Sequence, residues 1–154
     1  MRGLTVADVR VHAGTQEGAL SIDDALAHCA APEHGAAALF AGRVRNLNDG
    51  RAVTAVSYDV HRALCVRTFE AMADETLARW GADLRVWIVH RHGRLEVGEA
   101  SVVVAISSGH REEAFAALRY LVEEMKKRAP VWKQEHYVDG DSEWLPGHAL
   151  VPDA

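Results

Sequence analysis

The hydrophobic residues of this 154-residue chain change their spacing repeatedly, from every second residue to every third or fourth and back. A period of two is typical of a strand with one buried face, and a period near 3.6 is typical of an amphipathic helix. No linker, repeat or low-complexity tract separates these segments, so they predict one α+β domain over residues 1–154. We expect a mixed or antiparallel sheet packed against two main helices.

The expected elements follow from this pattern and from capping and turn residues. Strands are predicted at residues 4–11, 35–44, 53–60, 84–90 and 101–107, and helices at residues 21–31, 61–80 and 112–127. A turn at residues 48–50 predicts that the second and third strands form a hairpin. The last helix is expected to bury a stripe made of Phe115, Leu118, Leu121, Val122 and Met125. Residues 140–154 are a short polar tail, expected to become ordered only against a partner.

Composition narrows the class of protein further. Hydrophobic residues make up 49% of the chain, and 17 Lys and Arg against 22 Asp and Glu give a net charge of −5. A real core is therefore expected, and a broad nucleic-acid surface is disfavoured. No apolar run resembles a signal peptide or a membrane helix, so a cytoplasmic protein without membrane association is expected. Cys29 and Cys65 lack metal or redox spacing and are expected to be buried apolar residues.

The densest group of cations lies in the run MKKRAPVWKQE at residues 125–135. Cations in the last turn of a helix commonly offset the negative end of the helix dipole, and this structural role is the simplest interpretation of residues 126–128. It does not explain Lys133, which lies beyond Pro130. At the start of the same predicted helix, the run SSGHR offers free backbone N–H groups and two cationic side chains. The two ends together predict a local anion site.

Four runs in a fixed order carry a family resemblance: GRVRNLNDG at residues 42–50, HRHGRLEVGEASV at 90–102, SSGHREEAF at 107–115 and KKRAPVWKQE at 126–135. Together they resemble the catalytic, large subunit of molybdopterin synthase over residues 35–144. The resemblance implies an α/β hammerhead fold and a sulfurtransferase of molybdenum cofactor biosynthesis. Its substrate is a cyclic pyranopterin monophosphate, which becomes the dithiolene-bearing molybdopterin.

The resemblance also implies a partner and a set of site residues. The implied partner is a small ubiquitin-like subunit whose C-terminal Gly-Gly ends in a thiocarboxylate. The large subunit, which this chain resembles, is expected to need no metal or other cofactor. The implied substrate-binding residues are Arg43, Val44, Arg45, His110, Arg111, Lys126, Lys133, Gln134 and Glu135. Lys126 and Lys133 are the expected catalytic residues, since an ammonium group stabilises an oxyanion and exchanges protons. The chain departs from the family pattern at Asp59, Leu64, Cys65 and Gln134.

Helix geometry predicts that the site is shared between two copies of the chain. His110 and Lys126 are separated by sixteen residues, or roughly 24 Å at ~1.5 Å per residue. One chain can hardly direct both side chains at one pterin. We therefore expect a two-fold homodimer in which each copy completes the other's site, and a heterotetramer once two small subunits bind.

Two alternatives come from other classes of protein. His90 and His92 lie two apart on a predicted strand and would face the same way, as metal ligands do, although strand histidines beside Arg91 are more often surface residues. A non-catalytic module could instead bind an acidic partner or nucleic acid through residues 126–133. The negative net charge and the absence of an aromatic-rich basic face argue against that module.

Overall fold

Two β-sheets form the frame of the protein, and the computed structural model describes residues 10–145 of it. The strands are β1 (Val11–Gln16), β2 (Ala36–Arg43), β3 (Leu47–Asn48), β4 (Arg51–Val60), β5 (Arg85–Arg91), β6 (Gly93–Glu96), β7 (Ala100–Ser108), β8 (Val131–Tyr137) and β9 (Ser142–Trp144). The helices are α1 (Ile22–Cys29), α2 (Arg62–Trp80) and α3 (Arg111–Arg128). The predicted α+β class with two main helices is confirmed.

The first sheet has the order β1-β5-β7-β2, with β1 and β5 parallel and the other two pairings antiparallel. Its central strand β7 is buried at every residue after the first because helices cover both faces. Val104 and Ile106 pack in the main core with α2 and α3, whereas Val103 and Ala105 pack against α1. This double coverage explains the unbroken apolar run of β7.

The two long helices begin and end where local chemistry allows. The ring of His61 accepts a hydrogen bond from the N–H of Leu64 at 3.2 Å and so caps α2, and Gly81 ends that helix with φ 142°. The buried face of α3 consists of Ala114, Ala117, Leu121 and Met125. Phe115 is 65% exposed, so its predicted place in the buried stripe is wrong. It lies one residue, or about 100° of helix rotation, from Ala114.

The second sheet has the order β3-β4-β8-β9, and β6 also pairs with β4. Its own core is made of Val44, Val53, Val56, Leu95 and Tyr137. The turn between β3 and β4 contains Asp49 and Gly50, both with positive φ, as a tight two-residue hairpin turn requires. Residues 44–46 connect β2 of the first sheet to β3 of the second.

Several strand predictions need correction. The hairpin expected between residues 35–44 and 53–60 is wrong, because β2 pairs with β7 and β4 pairs with β3, β6 and β8. Strands β6 and β8 were not predicted. The strand expected at residues 4–11 falls almost wholly outside the described residues. In the expected tail, residues 142–144 form β9 beside β8, and residues 146–154 lie outside the described part.

Two simpler expectations can also be compared with the structure. Cys29 and Cys65 are buried, as predicted, at 1% and 0% exposure. None of the helices within residues 10–145 is both long and apolar enough to cross a membrane.

Candidate active site

A cavity of about 310 Å³ lies at the junction of the two sheets, beside the C-terminal end of α3. This volume is at the lower end of the range for small-molecule sites. Its apolar lining comes from Phe40, Val102, Met125, Ala129 and Val131, and its polar lining from Arg43, Tyr58, His90, Ser101, Lys126 and Lys133. Six different elements therefore supply the polar side chains, which only the folded chain brings together.

Three of the predicted site residues, Arg43, Lys126 and Lys133, line this cavity. Arg43 is the last residue of β2 and follows a register shift after Gly42. Lys126 lies in the last turn of α3, and Lys133 lies on β8 opposite Tyr58 of β4. The structure thus brings both predicted catalytic lysines and one predicted arginine to one place.

Backbone hydrogen bonds fix the segment between the two lysines. The carbonyl of Pro130 accepts from the N–H of His61 at 3.2 Å, which ties the α3–β8 turn to the start of α2. The carbonyl of Lys133 accepts from the N–H of Leu145 at 2.9 Å, just beyond β9. The turn after α3 and the main chain at Lys133 are therefore each tied to another part of the chain.

The cations of this segment differ in their partners. Arg128 makes two hydrogen bonds of 2.7 and 3.1 Å to the carboxylate of Glu75, and Lys127 lies 3.7 Å from Glu124. None of the ion pairs formed within residues 10–145 involves Lys126 or Lys133, and none involves Arg43. The predicted structural role therefore fits residues 127 and 128, whereas the cavity cations are available to a ligand.

Two further lining residues, Tyr58 and His90, are polar but uncharged. His90 is only 6% exposed, and its Nδ1–H donates to the carbonyl of Arg91 at 2.8 Å. Burial lowers the pKa of His90 to about 4, so the ring is neutral near pH 7. The edge of Tyr58 contacts the His90 ring with centroids 5.1 Å apart, and burial raises the pKa of Tyr58. The sequence interpretation of His90 as a surface residue is wrong.

Close packing beside the cavity depends on Gly42. A Cβ atom at this position would lie 2.9 Å from Cγ1 of Val102 and 3.4 Å from Oγ of Ser101. Contacts this short are not tolerated without movement of a neighbour. The missing side chain lets β2 lie against β7 at the point where Arg43 enters the cavity.

Four of the predicted site residues lie near the cavity cations in sequence but do not line the cavity. Val44 is 5% exposed in the core of the second sheet, and Arg45 is exposed in the turn after β2. The side-chain amide of Gln134 donates to Ser142 at 3.0 Å. Glu135 is 4% exposed, and its carboxylate accepts two hydrogen bonds, at 2.9 and 3.0 Å, from the amide of Asn48.

His110 and Arg111 lie at the far end of α3. His110 is the exposed N-cap residue and makes no capping hydrogen bond with its side chain. Arg111 is fifteen residues before Lys126 in the same helix, which places the two about 22 Å apart along the axis. A single chain therefore does not bring these two residues to the cavity.

Tyr58, His90 and Ser101 line the cavity but were not among the predicted site residues. The usable signal was a polar residue at a buried position of an apolar strand, as His90 is in β5. His90 and His92 are not joined by further metal ligands. No cluster of three or more His, Cys, Asp or Glu side chains with metal-binding geometry occurs within the described residues.

The fold and the cavity define an α+β protein with a pocket lined by three cationic side chains, built on two sheets beside the end of a helix. The model of a family described as MoaE protein matches residues 15–128, and the chain belongs to this family. The resemblance found in the sequence is thereby confirmed.

Individual relatives agree with this assignment. The molybdopterin synthase catalytic subunit of Synechococcus elongatus is 43% identical over 122 residues, covering 79% of this chain and 74% of that protein. The crystal structure of molybdopterin synthase from Staphylococcus aureus matches with a TM-score of 0.83 and 26% identity, over 87% of this chain and 96% of that one. A complex of subunits 1 and 2 of molybdopterin-converting factor from Helicobacter pylori shares the fold, with a TM-score of 0.71, 22% identity and coverage of 85% and 88%.

Proposed function

We propose that this chain is the catalytic subunit of a molybdopterin synthase, a sulfurtransferase of molybdenum cofactor biosynthesis. It converts cyclic pyranopterin monophosphate to molybdopterin with sulfur from the C-terminal thiocarboxylate of a small ubiquitin-like partner. The observation that carries the proposal is the cavity lined by Arg43, Lys126 and Lys133, none of which forms an ion pair within residues 10–145. Family membership and the names of the relatives support it.

The charges of the reactants explain why such a cavity needs several cations. The phosphate of the precursor and the thiocarboxylate of the partner are both anions, and they repel one another unless positive charge lies between them. Arg43 suits the phosphate, because a guanidinium forms paired hydrogen bonds to phosphate oxygens. Lys126 and Lys133 suit the reacting end, where an ammonium stabilises the oxyanion formed as the acyl group is attacked.

The partner reaches the cavity with its C-terminal Gly-Gly tail. A Gly-Gly tail has no side chains, so it fits a passage that would exclude other residues. The complex of two subunits described for the Helicobacter pylori protein supports a small partner for this chain as well. The sulfur arrives on this partner, so the proposed chemistry uses neither of the buried cysteines Cys29 and Cys65.

A second copy of the chain supplies His110 and Arg111 to each site. Arg111 and Phe115 are four residues apart and so lie on one face of α3, where Phe115 is 65% exposed. An exposed aromatic side chain beside an arginine is typical of the central residues of a protein interface. We place the two-fold interface at this end of α3, with His110 and Arg111 completing the neighbouring copy's pocket.

The experiment for the function is reconstitution. The purified chain is mixed with the precursor and a thiocarboxylated small subunit, and molybdopterin formation is followed by mass spectrometry. We expect product with the intact partner and none with a partner that lacks its two terminal glycines. Conversion by the truncated partner without added sulfide contradicts tail insertion.

The experiment for the dimer is complementation. Arg111→Ala and Lys133→Ala subunits are each expected to have little activity, and mixing them should restore part of the activity, because a mixed dimer contains one intact site. Phe115→Asp should weaken the dimer, so that the molar mass measured by light scattering falls towards that of a single chain. No recovery despite demonstrated subunit exchange would count against a shared site.

A further inference from the structure

The side chains that line the cavity differ in the hydrogen bonds they can form. Arg43, Lys126 and Lys133 are donors only, and the hydroxyls of Tyr58 and Ser101 both donate and accept. Ser101 already donates to the carbonyl of Gly42 at 3.2 Å. Among the described lining residues, a neutral His90 is the side chain that offers a strong acceptor nitrogen with no proton on it.

The orientation of His90 follows from its hydrogen bond. A backbone carbonyl only accepts, so Nδ1 of His90 carries the proton that is donated to the carbonyl of Arg91 at 2.8 Å. In a neutral ring this leaves Nε2 with a lone pair. The edge contact with Tyr58 and the 6% exposure of the residue hold the ring in place against the cavity.

The same environment decides which role His90 plays. A general base works best when its pKa is near the working pH, and the pKa of about 4 lies far below neutrality. Hydrogen-bond acceptance does not require the ring to take a proton. Burial therefore favours a neutral acceptor of fixed direction over a proton-transfer group.

We propose that His90 is the specificity residue of the cavity, whose Nε2 accepts a hydrogen bond from an N–H or O–H group of the bound pterin and so orients its ring. This inference rests on the proposed function, since a pterin ring carries amide and amine N–H donors. The cations hold the anionic end of the ligand, and His90 distinguishes a ligand with a donor at the other end from a simple anion.

Two substitutions separate the acceptor from the rest of the histidine. In His90→Asn the amide nitrogen keeps the position of Nδ1 and can still donate to Arg91, but no atom replaces Nε2. In His90→Gln the longer side chain places an amide oxygen near the position of Nε2. Binding of the pyranopterin monophosphate precursor is measured by calorimetry, and binding of sulfate, an anion with no donor, by NMR titration.

We expect His90→Asn to weaken precursor binding about ten- to a hundredfold, the usual effect of leaving a buried donor unpaired, and His90→Gln to restore most of it. Sulfate should bind all three proteins equally. Equal precursor affinity in the wild type and His90→Asn overturns the inference, and so does an equal loss of sulfate binding, which would indicate general damage to the cavity.

A spectroscopic measurement on the wild-type protein tests the inference even if the variants fold poorly. The ¹⁵N resonance of Nε2 of His90 should report an unprotonated nitrogen in the free protein and move upfield when the precursor donates to it. An unchanged resonance in the complex overturns the inference. Failure of the wild type to bind the precursor at all would instead overturn the proposed function, so the two results are distinguishable.

Discussion

Two groups of cations from one short segment have different surroundings in the folded protein. Lys127 and Arg128 lie on the surface of α3 beside Glu124 and Glu75, whereas Lys126 and Lys133 line the cavity without a carboxylate partner in the described chain. A single step along a helix rotates the side chain by about 100°, which is enough to move a lysine from the cavity to a surface ion pair. A run of charged residues in the sequence indicates where a site lies. The direction in which each side chain leaves the helix determines which of those residues belong to the site.

The largest expected effect comes from removing the cavity lysines. Lys126→Ala and Lys133→Ala should each lower the rate of molybdopterin formation on the order of 10²- to 10³-fold, as expected for loss of a group that stabilises an oxyanion. Lys127→Ala, one residue away and with the same loss of charge, is the matched control and should leave the rate nearly unchanged. Similar rates for Lys126→Ala and Lys127→Ala would remove the distinction between the two groups.

A smaller effect is expected when the charge at position 133 is kept. Lys133→Arg should retain most of the affinity for the precursor but lose turnover by at least about tenfold, because the planar guanidinium neither places its charge as an ammonium does nor gives up a proton. Steady-state kinetics separate the two quantities. Full turnover by Lys133→Arg would reduce the lysine to a general positive charge.

Removal of the cavity arginine should affect binding more than turnover. Arg43→Ala is expected to weaken precursor binding by about 1.5–3 kcal/mol, the range for a hydrogen bond to a charged group. Arg119→Ala is the control, since Arg119 lies on the exposed face of α3 and pairs with Glu123 at 2.9 Å. Calorimetry with the precursor measures both. An unchanged affinity for Arg43→Ala would place the phosphate elsewhere.

The smallest effect concerns the surface pair. Arg128→Ala should lower the free energy of unfolding by no more than about 1 kcal/mol, with little change in activity, because both partners are partly exposed. Urea unfolding at pH 7 measures the difference. A severe loss of activity in this variant, with the fold intact, would place Arg128 among the functional cations.

The same pair has a pH dependence of defined sign. Hydrogen bonds from Arg128, and then from Tyr120, hold the pKa of Glu75 below its ordinary value of 4.5. The resulting stability is present above pH 4.5 and is lost as the pH falls through the lowered value. Unfolding curves between pH 6 and 3 should therefore lie closer together for wild type and Arg128→Ala at the acid end. A constant difference across that range would contradict the assignment.

The helices were predictable because their signals are local. Apolar residues at helical spacing and Gly81 after the last turn fix α2 within a residue or two. Strand β8 was missed because Lys133 and Gln134 interrupt its apolar residues, and its identity as a strand depends on pairing with β4, more than seventy residues earlier. The partner of β2 was predicted wrongly for a similar reason. The turn at residues 48–50 favoured pairing with the next strand, whereas β2 pairs with β7, which is much farther along the chain.

The site divides in the same way. The lysines and Arg43 were found through a run of charges and through the family resemblance, both visible in the sequence. His90 was not found in this way, because its place in the site depends on residues that are distant in sequence. These are Tyr58, which belongs to the other sheet, and the other residues that line the cavity. The apolar residues of β5 indicate that His90 is a polar residue in a buried strand, but only the fold shows that it lines the cavity.

The fold places the side chains of Lys126 and Lys133 at one cavity, and neither forms an ion pair within residues 10–145. Like charges repel, and an anion bound between them lowers that repulsion. Such an anion binds only the folded state, which raises the free energy of unfolding by RT ln(1 + [L]/Kd). The melting temperature of this protein should therefore rise with the concentration of even a simple anion such as sulfate.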